Sequence, residues 1–240
     1  MNTPTPENPI LCAIDTADLD AAKRLAERLA GHVGGVKLGK EFFTACGPEG
    51  VAAMVDSGHR VFLDLKFHDI PNTVAGAVRA AAGLGCFMLT VHAAGGGAML
   101  RAAARAAAES AGTDDDRPLV VAITVLTSLG ADDLAAIGQN GPVAAQVRRL
   151  GGLARQCGID GLVASPLETA ALRADFGPGC VLVVPGIRPA WAGHDDQKRV
   201  MTPAEAVVAG ADYLVIGRAI TGADDPVSAA RRIADELAAA

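Results

Sequence analysis

The sequence predicts a single α/β domain folded as a (β/α)8 TIM barrel, with its active site at the carboxyl ends of the strands. Short apolar runs alternate with alanine-rich amphipathic stretches from one end of the 240 residues to the other. Alternating strands and helices produce parallel sheets, because each helix carries the chain back to the same edge. Eight such units are present, and about 250 residues is the usual size of this barrel.

The predicted elements follow one another without a linker or a low-complexity tract, so we expect residues 1–240 to form one domain. Residues 1–8 are polar and contain prolines, which predicts a flexible lead. The predicted strands cover residues 9–15, 33–39, 60–67, 87–93, 119–127, 161–165, 181–187 and 213–218. The predicted helices cover residues 18–30, 41–57, 71–84, 97–111, 142–157, 166–175, 203–210 and 226–239. An open doubly wound sheet is the competing arrangement, but the turn at 15–18 lacks the glycine-rich pattern of dinucleotide-binding sheets.

Composition and charge exclude several classes of protein. The net charge of −6 argues against a nucleic-acid or membrane-surface partner. No apolar run approaches the roughly 18 residues of a membrane span, and the N-terminus lacks the basic and apolar regions of a signal peptide. The five cysteines are scattered singly, which indicates thiols in a reducing compartment rather than disulfides or a zinc site. We therefore expect a cytoplasmic protein without a metal site.

Polar residues break the hydrophobic pattern where the predicted strands end, which is where barrel enzymes carry their active sites. The residues concerned are Asp15, Lys37, Asp64, Lys66, His92, Thr127, Arg188 and Arg218. Side chains alternate between the two faces of a strand, so Asp64 and Lys66 should point into the barrel together, about 6–7 Å apart along the strand. Leu63 and Leu65 should then face the helices.

A charged side chain inside a barrel is costly unless it is paired. Opposite neighbours keep a lysine protonated and a carboxylate ionised. We therefore expect a network of alternating charge at the barrel mouth, formed by Asp15, Lys37, Asp64, Lys66 and Asp69. A structural salt-bridge cluster that closes the barrel end is the alternative. His92 is interpreted as a hydrogen-bonded residue behind the site rather than a catalytic one.

A phosphate site is predicted after strands 7 and 8, where barrels often bind phosphate. Arg188 and the pair Gly217-Arg218 occupy these positions, and a guanidinium together with backbone N–H groups suits a phosphate dianion. The loop at 185–199 is the longest non-periodic stretch near the barrel mouth, and loops of this kind commonly serve as lids.

The run DLKFHDIPNT at 64–73 closely resembles the signature of orotidine 5′-phosphate decarboxylases. Further blocks of the same family follow in order along nearly the whole chain: AID at 13–15, VKLGKEFF at 36–43, VLTS at 125–128, VPGIRP at 184–189 and DYLVIGRAIT at 212–221. The resemblance implies conversion of orotidine 5′-phosphate to UMP and carbon dioxide, the last step of de novo UMP synthesis. It also implies that no metal or organic cofactor takes part.

The same resemblance implies a role for each matching residue. Lys66 would protonate C6 of the pyrimidine, in a Lys-Asp-Lys-Asp array completed by Lys37, Asp64 and Asp69. The remaining implied substrate contacts come from loops and strand ends around this array: Asp15 with Lys37 at the ribose; Thr127 and Gln197 at the pyrimidine or its phosphate-side surroundings; Arg188, Gly217 and Arg218 at the phosphate; and Pro185 as a further contact. The resemblance further implies a homodimer, in which Asp69, Ile70 and Thr73 reach the neighbouring subunit's site.

Two other functions stay open at this point. Magnesium-dependent 3-keto-gulonate 6-phosphate decarboxylases and hexulose-phosphate synthases share DxKxxD on the same barrel. They have a glutamate metal ligand where this chain has Lys37, and they lack the FHDIPNT extension. A non-catalytic barrel that binds a phosphate ligand is the second alternative, and it predicts a broken charge array.

Overall fold

Eight parallel strands close into a barrel in the computed structural model, which describes residues 6–113, 117–192 and 201–239. Each strand pairs with the next along the chain, and the eighth pairs with the first through Ile10 and Leu214. This closure confirms the predicted (β/α)8 barrel. An open sheet would leave the first and last strands unpaired.

The strands and helices of the described residues alternate as predicted. The strands are β1 Ile10–Ile14, β2 Gly35–Leu38, β3 Val61–Phe67, β4 Met88–His92, β5 Leu119–Ile123, β6 Gly161–Val163, β7 Val181–Val184 and β8 Tyr213–Ile216. The helices are α1 Leu19–Leu29, α2 Lys40–Asp56, α3 Pro71–Ala82, α4 Gly96–Glu109, α5 Ala131–Ala136, α6 Val143–Gln156, α7 Pro166–Phe176, α8 Pro203–Val208, α9 Arg218–Thr221 and α10 Pro226–Ala238. A short 3-10 turn, Ala93–Gly95, precedes α4.

Several predicted strands end earlier than the apolar pattern indicated. The strand predicted to run to Thr127 ends at Ile123, and Thr127 lies in a turn beyond it. Val125 and Leu126 extended the apolar run for a different reason, since they line a cavity instead of pairing in the sheet. Helices α5 and α9 were not predicted, because neither is long enough to show a helical period.

Two apolar layers fill the molecule. The inside of the barrel is packed by Leu11, Phe62, Met88, Val121, Val181, Val183 and Tyr213. Alternate residues of the same strands, such as Leu63 and Leu89, face outward into the larger core beneath the helices. The barrel is therefore solid below its mouth, and polar side chains have room only at the carboxyl ends of the strands.

The opposite, amino-terminal end of the barrel is fixed by two arginine–aspartate pairs. Asp212 accepts hydrogen bonds from Arg173 at 2.6 Å and from the Leu182 N–H at 2.7 Å. Asp160 similarly accepts from Arg117 and, at 2.8 Å, from the N–H of the β5 residue Val120. Each pair ties a loop to a strand start, which makes this end of the barrel a structural element.

The chain enters the barrel through Asn8, whose side chain accepts a hydrogen bond from the Ile10 N–H at 3.0 Å and donates one to the His32 carbonyl at 3.2 Å. Of the predicted flexible lead at 1–8, residues 1–5 lie outside the described part of the chain. Within that part, no helix is long and apolar enough to cross a bilayer. All five cysteines are free thiols, and four of them are buried.

Candidate active site

Two ion pairs stand at the mouth of the barrel. The Lys37 ammonium lies 2.8 Å from Asp15 Oδ1, and the Lys66 ammonium lies 2.6 Å from Asp64 Oδ2. The Lys37 side chain is only 11% exposed and that of Asp64 15%, whereas Asp15 is 56% exposed, so each pair has one member largely removed from water. Such partners offset the cost of burying each charge. Asp64 and Lys66 point inward together, as strand alternation predicted.

Strand β3 is irregular where it carries these charges. Its register with β4 shifts between Leu63 and Phe67, and Lys66 has a φ of 55°. This left-handed conformation is uncommon for a residue with a side chain. The Lys66 N–H donates to the hydroxyl of Thr90 on β4 at 2.8 Å, and that hydroxyl is 3.0 Å from Asp64 Oδ1. The departure from regular strand geometry is thus supported by a side chain of the neighbouring strand.

A glycine, Gly39, lies beside the Lys37–Asp15 pair. Gly39 follows β2 and is the N-cap residue of α2, and a Cβ atom at this position would lie 3.2 Å from Lys37 Nζ and 3.4 Å from Asp15 Oδ1. Its φ of −100° and ψ of −170° are open to any residue. The absence of a side chain at Gly39 therefore leaves space beside the ion pair and is not required by the backbone.

Two adjoining cavities open at this end of the barrel. The larger, of about 290 Å³, is lined mainly by charged and loop residues: Ala13, Asp15, Lys37, Asp64, Pro185, Gly186, Ile187, Arg188, Val215, Gly217, Arg218 and Ala219. The smaller, of about 170 Å³, is mostly apolar: Phe62, Asp64, Lys66, Ile123, Val125, Leu126, Thr127, Val163, Ala164, Pro185 and Val215. Asp64, Pro185 and Val215 line both, so the two spaces meet beside the Asp64–Lys66 pair.

The loop after β7 is tied together at its base. Ile187 pairs with Met201 in a parallel bridge, and the Arg188 N–H donates to the Met201 carbonyl at 2.9 Å. The backbone of Arg188 is therefore held in place by this hydrogen bond. The residue lines the larger cavity together with Arg218. Residues 193–199 of the predicted lid at 185–199, Gln197 among them, lie outside the described residues.

Comparison with known proteins agrees with this architecture. The family model described as "Orotidine 5'-phosphate decarboxylase / HUMPS family" matches residues 8–233. The chain belongs to this family. Curated relatives named orotidine 5′-phosphate decarboxylase include that of Moorella thermoacetica, 54% identical with 95% of this chain and 91% of the relative covered. The relative from Pelobacter propionicus is 49% identical, with coverage of 100% and 99% respectively.

Solved structures are similar over the same span. The crystal structure of orotidine 5′-phosphate decarboxylase from Lactobacillus acidophilus superposes with a TM-score of 0.85 at 35% identity, covering 96% of this chain and 99% of that one. An uncharacterized conserved protein from Geobacillus kaustophilus gives a TM-score of 0.84 at 34% identity, covering 95% and 100%. The family and the fold predicted from the sequence are both confirmed.

Three of the predicted site residues that the structure describes do not line either cavity. Asp69, Ile70 and Thr73 lie at the junction of β3 and α3, and all three are exposed. Ile70 is 66% exposed despite its apolar side chain. Asp69 Oδ1 accepts a hydrogen bond from the Ile70 N–H at 2.6 Å, which fixes the carboxylate beside the start of the helix.

His92 differs from its predicted role as a hydrogen-bonded residue. Its Nδ1 is buried and has no hydrogen-bond partner among the described residues. Its ring instead stacks on His68, with centroids 5.1 Å apart and planes at 22°. Burial chiefly, and then the nearby His68, Lys66 and Lys40, lower the pKa of His92. The lowered pKa disfavours a positive charge on this ring, which lies close to Lys66.

Most apolar residues of the site, as well as Thr90 and Gly39, were not predicted from the sequence. Ile123, Val163 and Val215 were within reach of prediction, because strand alternation turns each of them into the barrel near its mouth. Val125, Leu126 and Ala164 carried no such signal, since they lie beyond the strand ends. Within the ranges that the structure describes, no three His, Cys, Asp or Glu side chains converge as metal ligands; the expectation of a metal-free reaction stays a prediction.

Proposed function

We propose that this protein is an orotidine 5′-phosphate decarboxylase, which converts orotidine 5′-phosphate to UMP and carbon dioxide. The main support for this proposal is the Lys66–Asp64 ion pair, which lies where an apolar cavity meets a cavity lined by two arginines. The curated relatives with this name, at about half identity over nearly the whole chain, support the same activity.

The chemistry requires a cation beside the reacting carbon. When the bond between C6 and the carboxylate breaks, its electron pair stays on C6 in an orbital in the plane of the ring, so ring resonance stabilises it little. A fixed positive charge in a site of low polarity can stabilise it electrostatically. In the proposed mechanism the Lys66 ammonium serves this purpose, and it then donates a proton to C6 while carbon dioxide leaves.

The linings of the two cavities suit the two ends of the substrate. The smaller cavity, with Ile123 and Val163 on its walls, would accept the flat pyrimidine, and Thr127 offers a hydroxyl at its edge. The larger cavity would hold the ribose beside the Asp15–Lys37 pair and the phosphate at the arginine end. Pro185 and Gly217 would line this path, and Gln197, which lies outside the described residues, would add a contact to the pyrimidine or its phosphate-side surroundings.

Phosphate binding far from C6 would supply energy for assembling the site around the pyrimidine. The bridged base of the β7 loop supports this view, because Arg188 stands directly at the bridge. Replacing Arg188 and Arg218 together by alanine should lower kcat/KM by more than about a thousandfold. A double variant with near-normal kcat/KM would contradict this part of the proposal.

We also propose that the reaction uses neither a metal nor an organic cofactor. The magnesium-dependent alternative needs an anionic ligand at the position of Lys37. Here that position carries an ammonium group paired with Asp15 at 2.8 Å, and like charge opposes a divalent cation at this point. The Lys37–Asp15 pair instead favours contacts with ribose hydroxyls.

The decisive experiment follows the absorbance loss of orotidine 5′-phosphate with purified protein in the presence of EDTA. Full activity in EDTA is expected, and Lys66→Ala should lower kcat by at least about a thousandfold. Lys23→Ala, on helix α1, is the matched control and should behave as wild type. Activity that disappears with EDTA and returns with magnesium would favour the alternative enzyme, and no release of carbon dioxide at all would favour a non-catalytic barrel.

We further propose a homodimer in which Asp69, Ile70 and Thr73 complete the neighbouring subunit's site. Their exposure, and their absence from both cavity linings of their own chain, support this assignment. Lys66→Ala and Asp69→Ala chains should each be inactive, and mixing them should restore part of the activity because one mixed site is intact. No recovery after confirmed subunit exchange would contradict a shared site.

A further inference from the structure

Thr90 is a fully buried hydroxyl residue in the middle of β4, between two charged residues of β3. It accepts a hydrogen bond from the Lys66 N–H at 2.8 Å, and its Oγ1 lies 3.0 Å from Asp64 Oδ1. A carboxylate can only accept, and the backbone N–H can only donate. The single hydroxyl proton must therefore point to Asp64, so both bonds have a fixed direction.

This arrangement holds the Asp64–Lys66 pair from two sides. Asp64 Oδ1 is bound by Thr90, and Oδ2 is bound by the Lys66 ammonium at 2.6 Å. The backbone of Lys66 is held at the same time, through its N–H. The β3–β4 register shifts here. The Lys66 N–H bonds to the hydroxyl of the fully buried Thr90, which satisfies a backbone donor at this irregularity.

Lys66 also needs such support for conformational reasons. A side-chain-bearing residue at a φ of 55° is energetically unfavourable and persists only where the surroundings stabilise it. The backbone conformation sets the direction in which the Lys66 side chain leaves the strand. It thereby determines the position of the ammonium group at the cavity.

We propose that Thr90 is a positioning residue for the reaction: its hydroxyl fixes the Asp64 carboxylate and the Lys66 backbone so that the Lys66 ammonium stands at the reacting carbon. The inference rests on the proposed decarboxylase function. Thr90 does not line either cavity, so it acts through Asp64 and Lys66. Its loss should consequently affect kcat much more than KM, since substrate contacts stay in place.

The test compares Thr90→Val, which keeps the shape of the side chain but loses the hydroxyl, with Thr90→Ser, which keeps the hydroxyl. Thr90→Val should lower kcat about ten- to a hundredfold while KM for orotidine 5′-phosphate changes less than about threefold. Thr90→Ser should retain at least about a third of the wild-type kcat. The control is Thr169→Val, since Thr169 is equally buried but lines neither cavity, and its hydroxyl donates to the carbonyl of Ser165, the residue before α7.

A Thr90→Val protein with kcat within about threefold of wild type would overturn the inference, as would a Thr90→Ser protein that loses as much kcat as Thr90→Val. If Thr90→Val does not fold, Thr90→Ala takes its place in the same comparison, and the serine variant still has to retain activity. Wild-type protein inactive on orotidine 5′-phosphate would refute the proposed function itself. Active wild type with an unaffected Thr90→Val variant would refute only the role of Thr90.

Discussion

Replacing Gly39 by alanine should damage the site while leaving the fold intact. The added methyl group would lie 3.2 Å from Lys37 Nζ and 3.4 Å from Asp15 Oδ1, closer than ordinary van der Waals contact with the ammonium. The Lys37 side chain is 11% exposed and is held at its end by the ion pair with Asp15. To relieve the contact, the ammonium must shift by a few tenths of an ångström, which bends or lengthens its 2.8 Å bond to Asp15.

The magnitude follows from these contacts. A hydrogen bond to a charged group contributes about 1.5–3 kcal/mol, and a displaced rather than deleted ammonium should lose about 1–2 kcal/mol of transition-state binding. That corresponds to a loss of about five- to thirtyfold in kcat/KM. Stability should change little. The backbone conformation of Gly39 is open to alanine. Replacing a glycine lowers the conformational entropy of the unfolded chain, which stabilises the fold by about 0.4–1 kcal/mol. This gain offsets the weaker helix N-cap that alanine provides.

Orotidine 5′-phosphate turnover and urea unfolding, measured on the same preparation, separate the two effects. Gly152→Ala is the matched control: Gly152 lies in α6, and a Cβ atom there would meet nothing within 4 Å. This variant should keep wild-type kcat/KM and gain about 0.5–1 kcal/mol of stability. A Gly39→Ala enzyme that keeps kcat/KM within about twofold of wild type would refute the steric reasoning.

Three further predictions concern the scaffold and the buried groups. Arg173→Leu should lower the free energy of unfolding by about 2–4 kcal/mol, because it removes a hydrogen-bond donor from three carbonyls and the charged partner of Asp212. Replacing the more exposed Arg148 by leucine should cost no more than about 1 kcal/mol in the same urea titration. Since burial lowers the pKa of His92 below its ordinary 6.5, the unfolded chain binds the proton first and stability falls as the solution becomes more acidic. His92→Gln should reduce the drop in Tm between about pH 7 and about pH 5, with His32→Gln as the control, and an unchanged drop would contradict the lowered pKa. Cys46 should react with a thiol reagent before the four buried cysteines, as mass spectrometry of the labelled peptides would show.

The fold was predictable because two signals agreed along the whole chain. Apolar runs of strand length alternate with amphipathic helices, and ionisable residues stand where the strands end. Alternation also assigned the faces of β3 correctly, since Leu63 and Leu65 pack under helices α2 and α3 while Asp64 and Lys66 line the smaller cavity. Element ends were less predictable: Val125 and Leu126 are apolar because a cavity needs apolar walls, and a sequence pattern does not distinguish this use from strand pairing.

The geometry within the site depends on contacts between strands, which a pattern along one strand does not contain. Thr90 was absent from the predicted site because a threonine in an apolar strand is ordinary, and its importance lies in facing Asp64 and Lys66 across the sheet. Gly39 was missed in the same way, since its significance is the distance from a missing Cβ to a charged group of the preceding strand.

The irregularity of β3 coincides with the ion pair that this strand carries. In a regular strand, Asp64 and Lys66 would stand about 6–7 Å apart with parallel side chains. The left-handed backbone at Lys66 and the register shift against β4 alter that geometry, and the ammonium reaches Asp64 Oδ2 at 2.6 Å. The strain is local, whereas the strands around it and the arginine–aspartate pairs at the opposite end of the barrel keep regular hydrogen bonding. A conformation that costs energy at one residue is therefore sustained by a scaffold whose stability arises elsewhere.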